Sequence, residues 1–236
     1  MEKVFHSAEK RGKGEHGWLS TRYSFSFADW YEPTRMGFGA LRVINDDRIA
    51  PASGFGMHSH RDMEIITIVT EGAVTHEDNL GNAGTVPAGD VQVMSAGTGV
   101  THSERNLSPD VPLSLFQIWI ETKSPGARPR YAQKAFNLSD AKPGETLIVS
   151  PDGREGSLSI LQDAFISEIA LDPARPFSYA MKRKGNGAYV FIIDGTIEIG
   201  GVRLGARDAL GVSDTDAFAA AASAPSRALI IEVPMG

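Results

Sequence analysis

His58-Ser59-His60 and His102-Ser103-Glu104 each place two potential metal ligands two residues apart. On a β-strand that spacing turns both side chains to one face, and the flanking residues favour strands over helices. Together the strings offer three imidazoles and one carboxylate: His58, His60, His102 and Glu104. Such a donor set suits Fe(II), Mn, Ni, Cu or Zn better than Mg or Ca, which prefer oxygen throughout. It also leaves coordination positions open for a substrate or for dioxygen. Glu64 is a competing carboxylate, because it lies four residues past His60 and period-two parity would also turn it inward.

Other reactive groups carry less. With no cysteine, thiolate sites, disulfides and cysteine nucleophiles are excluded. No serine has a triad context, and Gly54 and Gly56 do not lead from a strand into a helix as a phosphate cradle requires. His76, in Thr75-His76-Glu77-Asp78, reads as a satisfied hairpin histidine, and His6 and His16 as structural or exposed. Tyr23, Phe25 and Phe27 alternate with serines and read as core. All 6 histidines lie at or before residue 102, so the second half cannot build an imidazole site and one site per chain is expected.

These residues must be held by strands. The 25 glycines and 13 prolines of the 236-residue chain punctuate many short β-like runs, among them Ala40 to Ile44, Met63 to Thr70, Leu113 to Ile120, Ala188 to Ile193 and Ala228 to Val233. Only Ala217 to Ala222 has helix-favouring composition. An all-β sandwich or barrel is predicted. Glu121 to Asp140 reads as a linker, and Val69-Thr70-Glu71-Gly72-Ala73-Val74 is echoed by Ile192-Ile193-Asp194-Gly195-Thr196-Ile197, which suggests two copies of one fold. A net charge of −6 argues against direct nucleic-acid binding. No apolar run is long enough to span a bilayer, and the start lacks a secretory pattern, so a cytoplasmic location and no membrane association are expected.

The string Gly54 to Glu64 contains HxHxxxE, with Gly72 beyond it; Pro87-Ala88-Gly89 and then His102 follow. This order resembles the two metal-binding motifs of the cupin superfamily. Within it, His16-Gly17-Trp18-Leu19, Phe25-Ser26-Phe27-Ala28, Met36 to Asp47 and Met94 to Gly99 resemble the pirin family, and Ser150 to Leu158 resembles its bacterial quercetinase-like members. The resemblance implies a bicupin of two jelly-roll barrels, with a metal-binding unit at 1–130 and a metal-free cupin-like unit at 131–236. It implies one divalent transition metal ion per chain, Fe(II) foremost with Zn, Mn, Ni, Cu or Co as alternatives. The implied ligands are His58, His60, His102 and Glu104, with Glu64 orienting a histidine. It further implies a dioxygenase that opens a flavonol ring with O₂ and releases carbon monoxide. Glu104 would act as general base, and Phe55, Met57 and Met94 would form walls. The alternative function is a regulatory protein whose metal modulates binding to a transcription factor or metabolic enzyme. A monomer is expected.

Overall fold

The computed structural model describes residues 1–138 and 142–236, and among them nearly all regular structure is β. Four sheets form two units. In the first, a seven-stranded sheet runs in the order Arg130–Ala135, Asp90–Ser95, Met63–Glu71, Leu113–Glu121, Leu41–Ile49, Leu19–Tyr23, Gly12–Glu15. It faces a four-stranded sheet of Ser53–His60, Val100–Asn106, Ala73–Asp78 and Ala83–Pro87. The second unit repeats this plan, with seven strands that include Asn186–Asp194 and Ser226–Pro234, and four that include Ala217–Ala222. No helix is long and apolar enough to cross a membrane among the described residues.

The internal echo is a shared topological step. Met63–Glu71 and Asn186–Asp194 each end on an acid-glycine turn that hands the chain from the large sheet to the small one. Gly72 at φ 72° and Gly195 at φ 81° adopt the left-handed backbone the turn needs. A Cβ on Gly72 would come within 2.5 Å of the Pro112 carbonyl.

The strand Met63–Glu71 is buried on both faces, and its alternation divides two environments. Ile66 and Ile68 join Phe116, Phe191, Ile166 and Leu229 in a core where the two large sheets meet. Phe116 and Phe191 pack edge to face at 5.4 Å across that seam, and Phe191→Ala would cost roughly 3–5 kcal/mol. Ile65 and Val69, of opposite parity, pack inside the first barrel. The second barrel is filled by an apolar cluster including Ile197, Ile199, Phe218 and Tyr179.

Two strands cross the division expected at residue 130. Glu2–His6 pairs with Ala209–Ser213 in the second unit's large sheet, and Arg130–Ala135 pairs with Asp90–Ser95 in the first's. The region read as a linker therefore contributes a strand; its residues 139–140 lie outside the described residues. Ala217–Ala222 is a strand and not a helix. Its residues alternate between exposed and buried, and pairing with Phe177–Ala180 and Ile197–Ile199 overrides a weak helical preference.

Candidate metal centre

Ser53–His60 and Val100–Asn106 run antiparallel in the small sheet with His102 opposite His58 and Val100 opposite His60. The regular stretch from residue 58 to 60 turns both imidazoles inward, as their spacing predicts. Further along, Glu104 pairs with Phe55, so three steps on one strand match two on the other. This bulge at Gly56-Met57 breaks the alternation. Phe55 and His58 both reach the interior cavity, whereas Met57 turns out and is 59% exposed. Met57 is therefore not a wall residue. Met94 is not one either, since it is buried with Ile65 and Val100 beside the cavity.

The ring nitrogens of His58, His60 and His102 come within 4.8 Å of one another. Each ring is oriented from behind. The Nδ1–H of His58 donates to the Gly56 carbonyl at 2.8 Å, which leaves Nε2 free as a lone-pair donor. His60 packs edge-on to Trp119 at 4.9 Å. His102 Nε2 is buried and has no hydrogen-bond partner, while its Nδ1 lies 3.3 Å from His76 Nδ1. Burial, reinforced by the neighbouring imidazoles, lowers His102 to about 3 and His60 to about 4, so both are neutral as metal ligation requires. An orphaned nitrogen beside two further converging imidazoles fits one transition-metal ion.

His76 is more than a hairpin histidine. It is fully buried, stacks on Tyr131 at 4.3 Å, and faces Asp78 Oδ2 through Nε2 at 3.3 Å. Burial opposes ionisation of Asp78, but hydrogen bonds from Asn82, His76 and Leu80 outweigh it and hold the carboxyl below its ordinary range. A signal for this existed in the sequence: His76 and Asp78 share parity on one strand, which the register places beside His102.

Glu104 faces the same cavity but its ligand atoms are not among those grouped with the three histidines. Its Oε1 accepts from Thr67 Oγ1 at 3.1 Å and Gln92 Nε2 at 2.7 Å, and its Oε2 from Gln117 Nε2 at 2.8 Å. Burial pushes the carboxyl up, opposed by the Thr67 bond, the nearby His58 imidazole and the two amides. These donors come from one cross-strand row of the large sheet, Tyr23–Asn45–Gln117–Thr67–Gln92, a polar seam inside the first barrel.

Glu64 lies elsewhere. Asp62, at φ 50°, ends the histidine strand, and a new strand begins in the other sheet at Met63, so parity is not carried across. Glu64 shares the side of Ile66 and Ile68, where Oε2 accepts from Ser95 Oγ at 2.5 Å and from the Leu161 backbone at 3.1 Å. It ties the first unit to the second instead of orienting a histidine.

The cavity in front of the histidines has a volume of about 160 Å³. Phe27, Phe55 and Trp119 form its aromatic walls. Phe27 and Trp119 meet edge to face at 5.3 Å, so Phe27 belongs to the site and not, as its alternation suggested, to the core.

Two such barrels joined through their large sheets, one with a three-imidazole cluster, define a bicupin. The chain belongs to the pirin family: residues 4–120 match Pirin and residues 147–233 match the quercetinase C-terminal cupin domain. It is 44% identical over 229 residues to the quercetin 2,3-dioxygenase of Escherichia coli strain K12, which covers 96% of each chain. It is 46% identical over 207 residues to a pirin-like protein of Caulobacter vibrioides, covering 87% of this chain and 88% of that one. The crystal structure of the bacterial pirin YhhW from Escherichia coli in complex with nickel(II) matches with a TM-score of 0.94 at 41% identity, over 100% of both chains.

Proposed function

We propose that the chain is a metal-dependent dioxygenase of the quercetin 2,3-dioxygenase type, with one divalent transition ion held by His58, His60, His102 and Glu104. The observation that carries this reading is the buried, unpartnered Nε2 of His102, aimed among two further imidazoles beside an aromatic-walled cavity. The name of the relative from strain K12 agrees with it.

A bound divalent ion would acidify a coordinated hydroxyl and give access to dioxygen chemistry. The protein's own residues do the rest. Phe27, Phe55 and Trp119 receive a flat aromatic substrate and exclude water from its reacting ring. Glu104 takes the proton of the flavonol hydroxyl at a carboxylate oxygen, its raised affinity for protons suiting it as a base. Gln92 and Gln117 fix the carboxylate plane, so the basic oxygen does not swing away.

Elemental analysis of the purified protein, followed by reconstitution with each candidate metal and an aerobic quercetin assay, tests the proposal. One bound ion per chain and metal-dependent loss of the flavonol absorption band are expected. A metal-loaded protein that leaves the band unchanged with every ion would overturn it.

A further inference from the structure

We propose that Asn45 and Asp47 form a hydroxyl-binding subsite, which takes a second hydroxyl of a polyhydroxylated aromatic substrate, away from the one facing the histidines. The two residues sit two apart on Leu41–Ile49 and therefore share a face. Each is 5% exposed, each lines the cavity, and among the described residues Asn45 Oδ1 and Asp47 Oδ1 have no hydrogen-bond partner. Thr21 lies directly opposite Asp47 in the register and is its nearest hydroxyl, but no hydrogen bond of good geometry joins Thr21 Oγ1 to Asp47 Oδ1. Buried oxygens left unpaired are costly, and native structures rarely leave two side by side without a use.

Several neighbouring polar groups, by contrast, are paired. On the other side of the same strand Asp46 accepts from Arg207 at 2.8 Å and from Arg11 at 3.2 Å. Along the same polar row Gln117, Thr67 and Gln92 are satisfied by Glu104. Only the Asn45–Asp47 end is left with free acceptors. That end is also where the cavity continues: Asn45, Asp47, Phe27 and Phe55 line a second hollow of about 300 Å³ that runs on past Trp18 and Tyr23. A ligand reaching from the histidines into this hollow must pass both oxygens. A phenolic O–H fits there, since an aromatic ring suits the walls and a hydroxyl can donate to the Asn45 oxygen and pair with the Asp47 carboxyl.

The choice of probe rests on the flavonol reading; the subsite itself does not need turnover. Binding of quercetin and of the parent flavonol, whose single hydroxyl is the metal-facing one, is measured by titration of the Zn(II)-loaded protein. Quercetin is expected to bind about tenfold tighter despite being the more polar ligand, in line with one good buried hydrogen bond. In Asp47→Ala and Asn45→Ala that ratio falls toward one, while affinity for the parent flavonol stays within about twofold. Equal affinities in the wild-type protein, a comparison that needs no variant to fold, would overturn the subsite, as would a ratio unchanged in both variants. A tenfold preference without oxygen consumption would support the subsite and remove only the dioxygenase reading.

Discussion

His76 Nδ1 lies 3.3 Å from His102 Nδ1, and the other nitrogen of His76 faces Asp78 at the same distance. With Asp78 ionised, the pattern of protons is determined. His76 donates from Nε2 to the carboxylate, its Nδ1 accepts from His102 Nδ1–H, and His102 Nε2 keeps its lone pair for a metal. The carboxylate thus sets the tautomer of the His102 imidazole through the hydrogen bonds of His76.

Asp78→Asn should reverse this chain of protons. Oδ1 accepts the backbone N–H groups of Leu80 and Asn82, both at 2.9 Å, so an asparagine oxygen is retained there and its NH₂ points at His76. His76 then carries its proton on Nδ1 and forces one onto His102 Nε2. Metal affinity, measured by chelator competition, should fall by about 10–100-fold. ¹⁵N imidazole shifts of the metal-free protein should show the swapped tautomers, and unchanged shifts would rule the relay out.

Glu104→Gln tests the proposed base. The amide must set an NH₂ against Gln92 or Gln117, both of which already donate to the carboxylate. Some metal is expected to remain, while flavonol turnover should drop by about 10²–10⁴-fold. Wild-type rates in this variant would end the base role.

Glu64→Ala separates an inter-unit tie from a metal ligand. Loss of the contacts to Ser95 and Leu161 should lower stability by about 1–3 kcal/mol in urea unfolding. Metal stoichiometry should stay at that of the wild type. A variant that binds no metal but keeps its stability would return Glu64 to the ligand set.

Asp47→Asn should change how stability depends on pH. Burial, reinforced by Glu104 and Asp46 and opposed by Thr21, pushes the Asp47 carboxyl from 3.8 up to about 7. The native state therefore holds a proton that the unfolded chain releases, and the contribution of Asp47 is fully present near pH 4 and lost as pH rises through 7. Relative to the variant, the metal-free wild type should lose roughly 1.4 kcal/mol per pH unit across that window. Parallel stability curves would show that Asp47 ionises normally.

The sequence made the strands and the imidazole pairs legible for one reason. His58 with His60, and the alternating runs of the large sheets, obey a period of two over regular backbone. Where the backbone departs from regularity, the reading failed. The bulge at Gly56-Met57 sent Met57 outward, and the left-handed Asp62 reset the parity on which Glu64 depended. Other residues were hidden because long-range pairing places them. Trp119 and Phe27 meet at the cavity from strands and loops far apart in the chain, and His76 owes its role to its neighbour across the sheet. Ala217–Ala222 shows the same limit in reverse, since local preference named a helix that sheet pairing does not allow.

Glu2–His6 leaves the ribosome about two hundred residues before Ala209–Ser213, the edge it must join, is synthesised. That strand gains its partner only when the second unit's large sheet has been made. Completing the second barrel is then also the event that fastens Glu2–His6, so the second unit is not expected to serve as an autonomous fragment without that strand.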